Sequence, residues 1–169
     1  MPWSWIRPAD HTLLKGRPLL DIGTGDGQTV ANVSPGGLIV GVDHAPEPLL
    51  RSAQATGVRT LRADALRLPF KPASFGAAFA ADLFHHLDDD GLRAVLSEGL
   101  RVVRPGAPLV AWWYLNPGRP GPGSPPYPRP YDLVASVAAG AGWRSVEPLQ
   151  LEPTLEPAPP TAGLVARGG

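Results

Sequence analysis

Four carboxylates recur in one local setting along this chain. Asp21, Asp43, Asp64 and Asp82 stand at or just beyond the ends of short, mostly apolar runs: Pro18 to Ile22, Leu38 to Val42, Val58 to Arg62 and Phe75 to Ala81. The first run leads into Gly23-Thr24-Gly25-Asp26-Gly27, with three glycines at alternate positions. Glycine there lets the backbone turn tightly and approach a ligand without a Cβ in the way. Asp43 lies 20 residues beyond Gly23, the separation at which a carboxylate on the second strand end meets a ribose diol. The glycine spacing is one residue away from the dinucleotide fingerprint, so the expected ligand is an adenosine compound that need not carry a pyrophosphate. A tight turn with no ligand is the plainer reading of the glycines alone, and Asp43 counts against it. His85-His86 is the second chemical feature, because imidazole titrates near neutral pH; the pair could equally be structural. His85, His86, Asp82 and Asp88 are near one another in sequence but lack a recognisable ligand spacing, so no metal is expected.

The elements that must position these groups alternate along the chain. Helices are predicted over Gln28 to Val33, Pro46 to Thr56, Asp89 to Val102 and Tyr131 to Ala141. Leu92, Leu96 and Leu100 give the third an apolar stripe at i, i+4 spacing, and Pro105-Gly106 ends it. Further strands are predicted over Leu109 to Tyr114, Trp143 to Val146 and Gly163 to Ala166. Strands apolar throughout, alternating with helices, predict an α/β chain with a mostly parallel sheet covered by helices on both faces. Ligands of such sheets sit beyond the carboxyl ends of the strands, where the four acids fall. Residues 1–16 read as a short, weakly structured N-terminal segment, with Trp3, Trp5 and Ile6 as apolar anchors. Residues 17–169 read as one domain. Residues 116–130, with seven prolines and three glycines, read as a loop that is neither helix nor central strand.

Composition narrows the partners. Fifteen Lys and Arg balance fifteen Asp and Glu over 169 residues, so no long-range attraction to a phosphate backbone is expected and nucleic acid is disfavoured. The chain has no cysteine, which excludes disulfides and thiolate chemistry. The opening stretch MPWSWIRPADH carries no leader pattern, and no run reaches 18 apolar residues. A cytoplasmic protein that does not enter a membrane is the expectation.

Taken in order, the motifs resemble those of class I S-adenosylmethionine-dependent methyltransferases of the small-molecule, methyltransferase domain 11-like type. The matching stretches are DIGTGDG at Asp21 to Gly27, GVDHAPEPLL at Gly41 to Leu50, RADALRLPF at Arg62 to Phe70, SFGAAFAADLFHHLDD at Ser74 to Asp89 and LSEGLRVVRPGAPLV at Leu96 to Val110. Together they cover roughly residues 17 to 115. The resemblance implies a Rossmann-like, doubly wound, seven-stranded sheet and S-adenosyl-L-methionine as cofactor. It assigns Asp21, Gly23, Thr24, Gly25 and Gly27 to the methionine part and Asp43 to the ribose hydroxyls. His44 would lie against the adenine, Asp64 would accept from its amino group, and the Ala65 amide would meet a ring nitrogen. Asp82, Leu83 and His85 would line the pocket near the acceptor. The implied reaction is in-line attack on the cofactor methyl, with His85 or His86 as base where the nucleophile must lose a proton.

The chain departs from the family pattern in three places. Gly76 stands where an acid is usual, Ala107 where a second glycine is common, and few residues precede the first strand of the sheet. The acceptor side would then fall to Tyr114, Asn116, Tyr127, Arg129 and Tyr131, or to a partner, and a homodimer could supply the missing lid. The leading expectation is methyl transfer to a small-molecule acceptor. The alternative is a protein that holds the cofactor or its demethylated product without catalysis, or a degenerate methyltransferase acting with a partner.

Overall fold

In the computed structural model the elements run, in chain order, β1 (Ile6–Pro8), a 3₁₀ turn (His11–Leu14), β2 (Leu19–Ile22), β3 (Ile39–Asp43), α1 (Pro46–Ala55), β4 (Arg59–Arg62), β5 (Ala77–Ala81), a 3₁₀ turn (Phe84–His86), α2 (Asp89–Val102), β6 (Pro108–Tyr114), α3 (Tyr131–Gly140), β7 (Ser145–Pro148), β8 (Leu151–Pro153) and β9 (Thr161–Arg167). The structure describes residues 6–8, 11–27, 29, 37–55, 58–115, 127–153 and 161–169. The predicted helix at 28–33 lies outside them except for Thr29, as do Trp3, Trp5 and Asn116.

Seven strands form one sheet in the order β4-β3-β2-β5-β6-β9-β7. β4, β3, β2, β5 and β6 are mutually parallel, and β9 lies antiparallel between β6 and β7. After β2 the chain builds outward through β3 and β4, then returns to place β5 on the other side of β2. That reversal opens a crevice beyond the carboxyl ends of β2 and β5. The mostly parallel, helix-flanked sheet anticipated from the apolar runs is therefore present.

Alternate side chains of the strands feed two cores. Leu20, Ile22, Ala78, Ala80, Leu109, Ala111 and Trp113 pack on one face with Leu92, Val95, Leu96 and Val102 of α2 and with Val134 and Ala138 of α3. Leu19, Ala77, Phe79, Val110 and Trp112 pack on the other with Leu14, Val58 and Leu149. Each fully buried large apolar side chain contributes about 1.5–3 kcal/mol. The helix α2 starts where Asp88 accepts the Gly91 N–H at 2.8 Å, and Asp89 and Asp90 add negative charge to its first turn. Trp143 fastens the C-terminal part to α2 by donating its Nε1–H to the Leu96 carbonyl at 3.0 Å.

Two features depart from the sequence reading. The N-terminal segment contributes β1, which pairs antiparallel with β8 across Ile6–Pro153, Arg7–Glu152 and Pro8–Leu151. Such a short pair places its prolines at strand ends, where a missing N–H costs little, so no alternating pattern announces it. Gly76, which stands where an acid is usual, is a point of close backbone contact. A Cβ on Gly76 would fall 2.6 Å from the Arg17 nitrogen, and one on Gly16 would fall 2.0 Å from the Gly76 carbonyl oxygen. The Gly76 N–H donates to the Pro18 carbonyl at 2.9 Å, which holds the entry to β5 against the entry to β2. Gly76→Ala is therefore expected to destabilise the fold by about 1–3 kcal/mol, read as a lowered midpoint of chemical denaturation. An unchanged midpoint would mean that the two backbones can separate at no cost. The Ala107 position is accommodated. Gly106 takes the left-handed conformation at φ 74°, and the Ala107 N–H closes the turn on the Arg104 carbonyl at 2.9 Å.

At the amino ends of the strands, Arg101, Arg104 and Arg144 line a shallow cleft of about 360 Å³. Arg17 and Arg167 lie at the same end: Arg104 Nη1 donates to the Arg17 carbonyl at 3.1 Å, and the Arg144 N–H donates to the Arg167 carbonyl at 2.9 Å. Asp21, Asp43, Asp64 and Asp82 lie toward the opposite end.

Candidate cofactor and acceptor site

The loop after β2 is tied to β3 through its backbone. The N–H groups of Gly23 and Thr24 both donate to the Val42 carbonyl at 2.9 Å. Gly23 and Gly25 have φ of 76° and 54°, which side chains adopt at a cost. At Gly23 a Cβ would also meet Leu83 Cδ1 at 3.1 Å, whereas at Gly25 nothing lies within 4 Å, so that glycine borders open space.

Asp43 joins this loop to the end of its own strand. Its Oδ2 accepts the Gly25 N–H at 2.9 Å and its Oδ1 accepts the Ala45 N–H at 2.9 Å. Each oxygen is oriented by one backbone donor and keeps a lone pair for a second, a geometry suited to two adjacent hydroxyls. His44 is exposed, with Nδ1 3.5 Å from Asp43 Oδ1. Asp64 forms a local turn by accepting the Leu66 N–H at 2.9 Å, and Ala65 packs against the first core.

Asp21 sits inside β2, opposite Gly41 and Phe79, and is only 2% exposed. Burial raises its pKa to about 7; the neighbouring Thr24 hydroxyl opposes that rise and the Asp43 carboxylate adds to it. Thr24 itself lies over β3, where a Cβ on Gly41 would stand 2.6 Å from its Oγ1. Sequence reasoning passed over Gly41; a glycine inside an apolar strand is the signal that something approaches closely.

The β5 end supplies a third group of side chains. Asp82 adopts φ 55°, left-handed for a residue with a side chain, and its Oδ1 is buried without a hydrogen-bond partner. Burial raises its pKa to about 7. His85 is 5% exposed, its Nδ1 also lacks a partner, and burial followed by the neighbouring His86 lowers its pKa to about 4. The His85 ring lies 4.2 Å from that of His86 and 6.2 Å from that of Tyr114. Tyr114 is pushed upward by burial and then by the Asp82 carboxylate. His86 is exposed and shifted downward by burial and then by His44. His44 directly follows β3, so the ends of β3 and β5 are near enough for these two histidines to act on each other.

These residues converge; the remaining acceptor-side candidates do not all follow. Tyr127 donates its backbone N–H to the His85 carbonyl at 2.8 Å. Arg129 lies elsewhere than an acceptor-facing loop would put it. Its side chain is 2% exposed, and Nη1 binds Asp89 Oδ1 at 2.6 Å while Nη2 donates to the Leu87 carbonyl. Its own carbonyl accepts Trp113 Nε1–H at 2.6 Å, so Arg129 clamps the histidine turn to α2 and β6. Tyr131 opens α3 and feels Asp132 and Glu147, on the β7 side of the sheet. Among the described residues no three metal-ligating side chains converge, and no helix is long and apolar enough to cross a membrane.

Residues 20–111 match the family described as a methyltransferase domain. The chain belongs to that family. The methyltransferase domain is 39% identical over 116 residues to a demethylmenaquinone methyltransferase of Thermus thermophilus, covering 63% of this chain and 52% of that protein. It is 32% identical over 119 residues to an O-methyltransferase of Aspergillus nomiae, covering 64% and 52%. The chain thus spans about half the length of these curated relatives. In fold it is similar to an S-adenosylmethionine-dependent methyltransferase of Mesorhizobium loti, with a TM-score of 0.70 at 18% identity, covering 91% of this chain and 92% of that one. The chain therefore has the mostly parallel, Rossmann-like architecture of class I methyltransferases.

Proposed function

We propose that this protein binds S-adenosyl-L-methionine and transfers its methyl group to a small-molecule acceptor. The observation that carries the reading is Asp43, fixed by the Gly25 and Ala45 N–H groups with both oxygens available to a diol. The residues fit the cofactor on chemical grounds. The site has carboxylates for a cationic ligand, an open edge at Gly25, and three buried polar atoms, Thr24 Oγ1, Asp82 Oδ1 and His85 Nδ1, without partners. Asp21 and the Gly23 to Gly27 loop would hold the methionine part, Asp43 the ribose, and His44, Asp64 and Ala65 the adenine side. When bound, the cofactor supplies a methyl already activated by a positive sulfur. The chain's own contribution is to orient the partners, keep water out with Leu83 and Phe84, and fix His85, Asp82 and Tyr114 beside the reaction zone. The similarity to a demethylmenaquinone methyltransferase and an O-methyltransferase supports the same reading. A non-catalytic binder is the second reading, favoured by Arg129, an expected acceptor-side residue, being engaged instead by Asp89 and the Leu87 carbonyl.

Calorimetric titration of the purified protein with S-adenosylmethionine, with NAD beside it, tests the proposal. Micromolar binding of the methyl donor alone is expected. Binding of NAD in its place would overturn the reading. Turnover with an acceptor panel then separates catalyst from binder.

The pH dependence of that titration carries its own expectation. Asp21 and Asp82 hold protons up to about pH 7, and a cationic ligand favours their ionised forms. Affinity should therefore rise as the pH is raised through neutrality, with proton release detected as a dependence of the binding heat on buffer ionisation enthalpy. A flat affinity from pH 5.5 to 8, taken as a range of about one unit or more on either side of these pKa values, would remove both carboxyls from contact with the ligand's charge.

A further inference from the structure

We propose that Glu98 and Arg101 of α2 are positioning residues for the adenine side of the cofactor site, and that through them the chain selects adenine over a base lacking its amino group. The inference rests on the cofactor reading and adds to it two residues that touch no ligand. Their side chains form one closed unit. Arg101 Nε donates to Glu98 Oε1 and Nη2 to Glu98 Oε2, both at 2.7 Å. The same guanidinium donates from Nη1 to the Phe70 carbonyl at 2.6 Å and from Nη2 to the Leu68 carbonyl at 2.9 Å. Glu98 Oε2 in turn accepts the Leu68 N–H at 2.6 Å. An exposed pair at i,i+3 supports its own helix and little else. This pair reaches 30 to 33 residues back along the chain and grips a loop. Arg101 also borders the cleft at the amino ends of the strands, but each of its guanidinium nitrogens is already committed to Glu98 or to that loop.

The gripped segment is the return leg of the loop that carries Asp64 and Ala65. The loop leaves β4 with the Ala63 N–H on the Asp43 carbonyl at 3.0 Å. It then turns on Asp64, whose carboxylate takes the Leu66 N–H at 2.9 Å and whose carbonyl takes the Arg67 N–H at 3.1 Å. Leu68, where the pair takes hold, is buried in the first core. Asp64, Leu66 and Arg67 are exposed, so core packing does not fix the turn; its two tethers do, Ala63 at the β3 end and Leu68 on α2. A hydrogen bond to a base weakens steeply with misalignment, so slack at Leu68 is felt at the Asp64 carboxylate.

The test compares Arg101→Met and Glu98→Gln with Arg93→Met, which removes the exposed Arg93–Asp90 pair from the same helix. Each protein is titrated calorimetrically with S-adenosylhomocysteine and with S-inosylhomocysteine, in which an oxygen replaces the adenine amino group. Amide exchange at Leu66 and Leu68 is followed in the ligand-free proteins by nuclear magnetic resonance. The wild type and Arg93→Met are expected to prefer S-adenosylhomocysteine by about tenfold, the worth of one hydrogen bond. Both variants of the pair should lose most of that preference, with faster exchange at the two amides. Arg101→Met should lose more than Glu98→Gln, whose amide oxygen still accepts the Leu68 N–H. A preference unchanged in folded Arg101→Met, even with faster exchange, overturns the inference, because the pair would then serve the fold alone. If Arg101→Met does not fold, the same ratio in Glu98→Gln decides. Equal wild-type affinity for the two ligands overturns the positioning role and leaves the cofactor reading standing. Wild-type binding of neither sinks the cofactor reading itself, and this inference with it.

Discussion

Asp43→Ala is expected to weaken S-adenosylmethionine binding by about 100-fold while the protein remains folded. Two effects add. The variant removes the carboxylate that would accept both ribose hydroxyls, and charged hydrogen bonds of this kind are worth about 1.5–3 kcal/mol each. It also leaves the Gly25 and Ala45 N–H groups without their present acceptor, so the loop that must face the ligand loses its tie to β3. The Gly23 and Thr24 bonds to the Val42 carbonyl remain, which is why the fold should persist. Asp43→Asn separates the contributions, since an amide oxygen can still accept from one loop N–H but supplies no charge. Calorimetry gives the affinities and circular dichroism the fold. Wild-type affinity in Asp43→Ala would show that the diol is bound elsewhere.

Arg129→Met is expected to cost about 2–4 kcal/mol of stability, on the order of a 10 °C fall in melting temperature for a domain of this size. The guanidinium is buried, and its loss strips donors from the Phe84 and Leu87 carbonyls. Asp89 is 74% exposed at its side chain, so water takes over there and the ion pair itself contributes little of the loss. Arg129→Lys should recover only a small part, because an ammonium cannot span three acceptors in different directions. Differential scanning calorimetry of the three proteins checks this. A melting temperature unchanged in Arg129→Met would mean that the clamp forms no part of the folded core.

The contrast between these two residues says what a sequence can disclose. The position of Asp43 was legible because it follows from chain order: strand, glycine loop, parallel strand, acid. The placement of Asp21, Asp64 and Asp82 near strand ends was legible for the same reason, and so was the mostly parallel sheet with its helices. Arg129 was not, because its partners lie 40 or more residues away and its sequence neighbours are prolines that describe a loop. Nothing local distinguishes an arginine that meets a ligand from one that clamps carbonyls. The Gly16–Gly76 contact is hidden in the same way, since close approach of two backbones leaves only two glycines, and glycine is common here for other reasons. The pair β1 and β8 is too short for periodicity to register.

The separation of charge across the sheet bears on kinetics. Arg17, Arg104, Arg144 and Arg167 occupy one pole, and Asp43 and Asp64 the other, joined above about pH 7 by Asp21 and Asp82, in a chain whose formal net charge is zero. Such a molecule has no monopole to attract a ligand, yet its field turns a cation toward the acidic end before contact. Capture of a cationic ligand should then be faster than for a neutral analogue of the same shape, and the advantage should fade as salt shortens the screening length below the distance between the poles.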